Sequence, residues 1–198
     1  IENYLTSGIP FVSIDRTYSD LDIPCVSSDN DAGGREAAKQ LIKKGCRHLA
    51  FVGGHNTTIN ETKRRRISFE KYVQENNIPF SIFDLDETVS DYHGKLEQFL
   101  VENPSIDGIF AINDFAALDV IEILEMNGIK VPEDVQIIGY DGIKMAGDRE
   151  YLLSTIKQPL EEMAKEAVRI LFDILDGKTV NLQTILPVKF IERKTTKK

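Results

Sequence analysis

The chain has 198 residues, 41% hydrophobic and 28% charged, with a formal net charge of −8, enough to bury a substantial core as one domain or two small lobes. Its acidic balance, with one dense basic cluster at Lys63-Arg64-Arg65-Arg66, argues against a chain that grips nucleic acid by itself, because duplex affinity comes largely from neutralised phosphates. No apolar run approaches the roughly 18–20 residues of a bilayer span, and no basic stretch followed by an apolar run opens the chain, so neither a membrane segment nor a signal peptide is read.

The first residue is Ile1 rather than Met, and the chain is expected to be a piece of a longer protein. Ile1–Ser7 reads as the end of a helix stopped by Gly8, and Ile9–Ile14 as the first strand. Further strands are expected at His48–Gly53, Phe80–Asp84, Gly108–Ile112 and Val135–Tyr140. Several are apolar almost throughout, the pattern of strands covered on both sheet faces. Helices are expected near Asp31–Lys44, Glu61–Asn76, Asp91–Glu102 and Asp114–Asn127. Asp31 is read as the cap of the first, and Gly45 and Gly128 stand where helices stop. This alternation calls for an α/β fold with a parallel sheet and right-handed crossovers.

The last third departs from the alternation. Pro159 suits the first turn of a helix, and Leu160, Ala164, Ala167, Val168, Leu171, Ile174 and Leu175 form a broad apolar stripe at helical spacing. A final strand is expected over Ile185–Ile191, leading into a solvated basic tail. Cys25 and Cys46 lack metal-type spacing and are read as plain thiols filling a core.

In an open parallel sheet, ligands bind outside the carboxyl ends of the strands. The residues just past the expected strands are Asp15, Gly53-Gly54, Asp84, Asn113-Asp114 and Asp141. Asp and Asn are also ordinary helix caps and turn formers, and Asp84 and Asp114 are read that way. With Asp114 as cap, Asn113 is read as facing the cleft, the alternative being a satisfied structural amide. Phe69, Tyr72, Val73 and Asn76 share one helix face, and at about 100° per residue Arg65 lies one turn before Phe69 near the centre of that stripe. Arg65 is therefore expected over the cleft, Arg64 in solvent and Arg66 at the stripe's edge. Periodicity alone leaves open that Arg65 is one charge in a solvated run.

Carboxylates, an amide and a guanidinium converging on a cleft suit a polyhydroxylated ligand, whose hydroxyls both donate and accept. Enzyme signatures are missing: there is no Gly-x-Ser-x-Gly elbow, no His-Glu-x-x-His and no Walker-type Gly-Lys-Ser/Thr. His48, His55 and His93 form no spaced ligand set, so no metal and no cofactor is expected. Gly33-Gly34 and Gly53-Gly54 are read as permitting close packing.

The segments GIPFVSIDR, VSSDNDAGGREAAKQLIKKGCRHLAFVGG, IFAINDFAALDVIEILEMNGIKVPEDVQIIGYDG and LSTIKQPLEEMAKEAV follow one another in order. Together they resemble the effector-binding domain of bacterial lactose/galactose-repressor (LacI/GalR) transcription regulators over essentially the whole chain. The resemblance implies a two-lobed, type I periplasmic-binding-protein-like fold, each lobe a parallel sheet flanked by helices, with the amino-terminal lobe incomplete here. On that scheme residues 1–28 and 157–181 belong to the amino-terminal lobe, and 29–156 and 182–198 to the carboxy-terminal lobe. It further implies a cytoplasmic homodimer that takes a sugar or sugar phosphate between its lobes and binds operator DNA through a helix-turn-helix missing from this chain. The family's effector contacts fall on Asp15, Arg65, Asn113, Asp141 and Gln158, with Leu160 as an apolar wall. Gln158 and Leu160 come from the resemblance alone. Ser68 stands where the family usually has Gly, and Leu160 replaces an aromatic found in some members. A sugar carrier of the same fold is the alternative function, with an enzyme on a related doubly wound sheet behind it.

Overall fold

Consecutive strands joined by a helical crossover must run the same way, and the alternation along this chain produces that pairing. The computed structural model describes residues 8–18, 21–54, 60–85, 91–143 and 152–197. The helix end expected at Ile1–Ser7, and His55, lie outside the described residues. In chain order the elements are β1 (Ser13–Ile14), β2 (Cys25–Ser28), α1 (Asn30–Lys43), β3 (Leu49–Gly54), α2 (Asn60–Glu75), β4 (Phe80–Leu85) and α3 (Tyr92–Glu102). There follow β5 (Gly108–Ala111), α4 (Asp114–Met126), β6 (Gln136–Asp141), β7 (Ser154–Lys157), α5 (Leu160–Leu175), β8 (Gln183–Leu186) and β9 (Lys189–Ile191).

Among the described residues, two sheets form. The larger has the order β4-β3-β5-β6-β7-β9, parallel except for the antiparallel pair β7–β9. Its central strands β3, β5 and β6 read as apolar runs because both faces are covered. Ala50, Val52, Ile109, Ala111 and Ile137 point into one core with Leu96, Val120 and Leu124. Leu49, Phe51, Phe110, Ile138 and Tyr140 alternate to the other face, against Leu41 of α1 and Phe69 and Val73 of α2. The smaller sheet, in the order β1-β2-β8, is parallel, and α5 packs Met163, Ala167 and Ile170 against Val26.

Several expectations need correction. The strand expected over Ile9–Ile14 is shorter, spanning Ser13–Ile14. The strand expected over Ile185–Ile191 is broken at Pro187: β8 pairs with β2, and β9 pairs with β7 in the other sheet. Gln183–Leu186, expected with the carboxy-terminal portion, therefore belongs to the three-stranded sheet. Two strands, β2 and β7, were not expected at all. The apolar stripe of α5 is also displaced: Met163, Ala167 and Ile170 are buried, whereas Leu160, Val168 and Leu175 are more than half exposed.

The basic tail is only partly solvated. Thr195 and Thr196 are buried: the Thr195 hydroxyl donates to Ile137 O and accepts from Ser154 N (both 2.8 Å), and Thr196 pairs with Ser154 Oγ (2.8 Å). Helix α1 is capped by Asp29, whose Oδ1 accepts from Ala32 N at 2.9 Å, and not by Asp31.

The glycine pair Gly33-Gly34 does allow close packing. A Cβ on Gly33 would lie 2.6 Å from the Tyr140 ring, and one on Gly34 only 2.1 Å from the carbonyl oxygen of Arg65. A backbone carbonyl in a helix cannot swing aside, so α1 and α2 approach as they do only because residue 34 has no side chain. Gly34→Ala is expected to push α1 from α2 and cost roughly 1–3 kcal/mol, as overpacked cores do. Urea unfolding of the variant checks this, and an unchanged midpoint would contradict the packing described.

Candidate functional site

The carboxyl ends of β1, β5, β6 and β7 place Asp15, Asn113, Asp141 and Gln158 on one side of the molecule, the edge where open parallel sheets bind ligands. Asp15 leaves β1 with φ 55° and Asp141 ends β6 with φ 109°. Both are left-handed conformations that non-glycine residues adopt at a cost, and such strain collects at functional sites.

Arg65 joins these ends. It is 4% exposed and projects from the face of α2 that also carries the fully buried Phe69 and Val73, so helix phase places it as expected. Its Nε donates to Asn30 Oδ1 at 2.5 Å, and Nη1 donates to the carbonyl of Ile112 at 3.1 Å. Nη2 lies 3.6 Å from Asp15 Oδ2, and Nη1 lies 3.6 Å from Asp141 Oδ1. The guanidinium carbon sits 3.7 Å from the centre of the Tyr140 ring, within cation–π range. One cation thus holds a carboxylate from the edge of each sheet. Its neighbours behave differently. Arg64 is half-exposed and pairs with Asp31 instead of standing free in solvent, and Arg66 pairs with Asp84.

Gln158 is 5% exposed, and its Nε2 donates to Asp141 Oδ1 at 2.7 Å. The acceptors of the cluster are incompletely served. Among the described residues no donor reaches the buried Oδ1 of Asp15 or Oε1 of Gln158. Burial is the largest influence on both carboxylates and outweighs the stabilising Arg65 charge. Asp15 is raised, and Asp141 is raised from an ordinary 3.8 to about 6. Buried acceptors without donors are costly unless a partner arrives. A ligand rich in hydroxyl donors would supply it.

At the β5–α4 junction the two expected roles are exchanged. Asn113 is the helix cap: its backbone is extended, with φ −152° and ψ 176°, and its Oδ1 accepts from Ala116 N at 2.8 Å. Its side-chain oxygen is thereby committed to the helix end. Asp114, 1% exposed, turns inward, where Oδ1 accepts from the Thr155 hydroxyl (2.6 Å) and Oδ2 from Ile143 N (2.9 Å). Gly139 makes room for it, since a Cβ there would meet Asp114 Oδ1 at 2.4 Å. Leu160 heads α5 and is 52% exposed; its role as a wall rests on the resemblance.

Residue-by-residue reading missed Asn30, Ser28 and Tyr140. Asn30 Nδ2 donates to the Ser28 carbonyl at 3.0 Å while its oxygen accepts from Arg65, and Ser28 Oγ meets the Tyr140 hydroxyl at 3.2 Å. The available signal was Ser27-Ser28-Asp29-Asn30-Asp31, five polar residues in a row beside an apolar pair.

A family model described as a periplasmic binding protein-like domain matches residues 38–196. The ribose operon repressor of Halalkalibacterium halodurans is 30% identical over 197 residues, covering 99% of this chain and 59% of the relative. The sucrose operon repressor of Streptococcus mutans is 32% identical over 189 residues, covering 95% of this chain and 58% of its own length. A solved periplasmic binding protein/LacI transcriptional regulator from Alkaliphilus metalliredigens, complexed with D-xylulofuranose, superposes with a TM-score of 0.84 at 32% identity, covering all of this chain and 74% of that one. The chain belongs to the LacI/GalR family. It has the type I periplasmic-binding-protein-like fold of that family's effector-binding domain, and it spans just under three-fifths of the length of these two repressors.

In this LacI/GalR chain Ser68 stands one turn beyond Arg65. Its Oγ donates to the Arg65 carbonyl at 3.1 Å and lies beside Gly34. The side chain of Ser68 is accommodated because Gly34 has none.

The raised carboxylate of Asp141 has a measurable sign. Folded Asp141 binds its proton more tightly than the unfolded chain does, so it adds stability as pH falls from about 6 toward the ordinary 3.8. Asp141→Asn removes that contribution. The parent is therefore expected to gain melting temperature relative to Asp141→Asn as pH is lowered from 7 to 4. A constant or reversed difference would mean that burial does not dominate at Asp141.

Proposed function

We propose that this chain is the sugar-sensing domain of a bacterial transcriptional regulator. Its effector lies between the two sheets, held by Asp15, Arg65, Asn113, Asp141 and Gln158, with Leu160 as an apolar flank. The three-stranded sheet and α5 form part of one lobe, and the larger sheet forms the other. The carrying observation is that strand ends from both sheets converge on Arg65 and, among the described residues, leave the buried oxygens of Asp15 and Gln158 without donors. A polyhydroxylated ligand would complete that network from both sides.

The relatives support a sensor over a carrier or an enzyme, because they are named as operon repressors. LacI-family structures with bound ribose, from Enterococcus faecium (28% identity, TM-score 0.84), and with bound lactose, from an Arthrobacter species (25%, 0.84), support a sugar as effector. In this reading the protein acts in the cytoplasm as a homodimer, and operator DNA is bound by a helix-turn-helix outside this chain. The sugar needs no cofactor. It shifts the regulator by its differential affinity for two inter-lobe arrangements, and by no more than that difference.

Calorimetry of the complete protein against ribose, sucrose, lactose and D-xylulose tests the reading. One of these sugars, or a close stereoisomer, is expected to bind. Asn113→Asp keeps a cap acceptor and removes the amide donor. It is expected to weaken that sugar by about 5- to 150-fold, the loss of one buried hydrogen bond, while leaving the melting temperature near that of the parent. Unchanged affinity would remove Asn113 from the site, and binding of no sugar would overturn the function.

A further inference from the structure

Glu61 stands outside the effector set assigned above and, among the described residues, carries a third unmet acceptor. It lies on α2 one turn before Arg65, so the two side chains leave the same helix face. It is 2% exposed. Oε1 accepts from both the backbone nitrogen (2.9 Å) and the hydroxyl (2.7 Å) of Thr17, two residues beyond Asp15. Glu61 and Arg65 therefore grip the same segment after β1 from successive turns of one helix. Among the described residues no donor reaches the buried Oε2 of Glu61. Its charge is felt at Asp15, where it opposes ionisation.

The charge inventory of this region is lopsided. Asp15 and Asp141 pair with the buried guanidinium of Arg65, and Glu61 adds a third carboxyl group whose charge is felt at Asp15 and at the half-exposed Arg64. Arg16, the other cation on the segment, is exposed. Among the described residues, Asp15 Oδ1, Glu61 Oε2 and Gln158 Oε1 all lack donors. A phosphate or carboxylate would add negative charge to a place where carboxyl groups already outnumber the buried guanidinium. An uncharged polyol brings hydroxyl donors.

We propose that Glu61 is a specificity-determining residue of the effector site, which accepts a sugar hydroxyl on Oε2 and closes the site to phosphorylated sugars. The inference rests on the sugar-binding reading and narrows it to neutral ligands.

The test uses the full-length protein and three matched pairs: ribose and ribose 5-phosphate, glucose and glucose 6-phosphate, sucrose and sucrose 6-phosphate. Glu61→Gln keeps an oxygen for Thr17 while removing the charge. Thr17→Val loosens the same contact without touching the charge. In the parent the neutral member of a pair binds and its phosphate does not compete. In Glu61→Gln the preference for the neutral sugar is expected to narrow by on the order of tenfold, the scale of one like charge removed at close range. Thr17→Val leaves the preference unchanged.

Equal or tighter binding of the phosphate by the parent overturns the proposal. So does a preference unmoved by Glu61→Gln, or moved equally by Thr17→Val, since either assigns Glu61 a structural role alone. Binding of neither member of any pair defeats the sugar reading itself, a result distinguishable from these.

Discussion

A buried positive charge must be answered, and the answer given to Arg65 organises this molecule. The guanidinium is almost wholly out of water. Moving such an ion from water costs several kcal/mol unless its donors and its charge are met. Asn30 and the carbonyl of Ile112 take two donors, Asp15 and Asp141 supply charge, and Tyr140 offers its ring face. Those partners come from four separate elements. Asp15 follows a strand of the small sheet, whereas Ile112 and Asp141 follow and end strands of the large one. Joining the sheets at this point is a consequence of solvating one side chain.

The same arrangement leaves the site short of donors. Arg65 commits Nε and Nη1 to Asn30 and Ile112, Gln158 commits its amide nitrogen to Asp141, and Asn113 commits its oxygen to a helix cap. Among the described residues the buried Asp15 Oδ1 and Gln158 Oε1 are left without donors. Carboxylates raised by burial express the same shortage electrostatically. A ligand whose hydroxyls donate to both edges lowers the energy of the arrangement in which the edges face each other. In the proposed function, recognition and inter-lobe coupling would share one origin, because the differential contact that shifts a two-state equilibrium would also be the contact that reads the sugar.

Much of this was legible in the sequence, and for identifiable reasons. Strands buried on both faces announce themselves as apolar runs, so β3 to β6 were found. Arg65 could be placed because Phe69 and Val73 fix the phase of its helix. The misses share a different cause. In β7, Ser154 and Thr155 are buried, yet their hydroxyls are met by Thr196 and Asp114, partners about 40 residues away. β2 ends in two buried serines. Polar residues satisfied by distant partners look like loop until the fold brings those partners in. The exchange of roles between Asn113 and Asp114 has the same root, since either side chain can cap a helix locally. The choice was made by the hydroxyl of Thr155 and the space left at Gly139, neither of which is adjacent in the chain.

Comparing Arg65→Ala with Arg64→Ala, and repeating the first in an Asp15→Asn, Asp141→Asn background, measures the central interaction directly. Stripping the buried guanidinium from its carboxylates should cost about 3–5 kcal/mol in urea unfolding. Loss of the half-exposed Arg64–Asp31 pair should cost about 0–1 kcal/mol. Neutralising Asp15 and Asp141 should recover part of the Arg65 loss, because the charges left unanswered are then gone. An Arg65→Ala cost no larger than that of Arg64→Ala, or one that the neutral background leaves undiminished, would contradict the account.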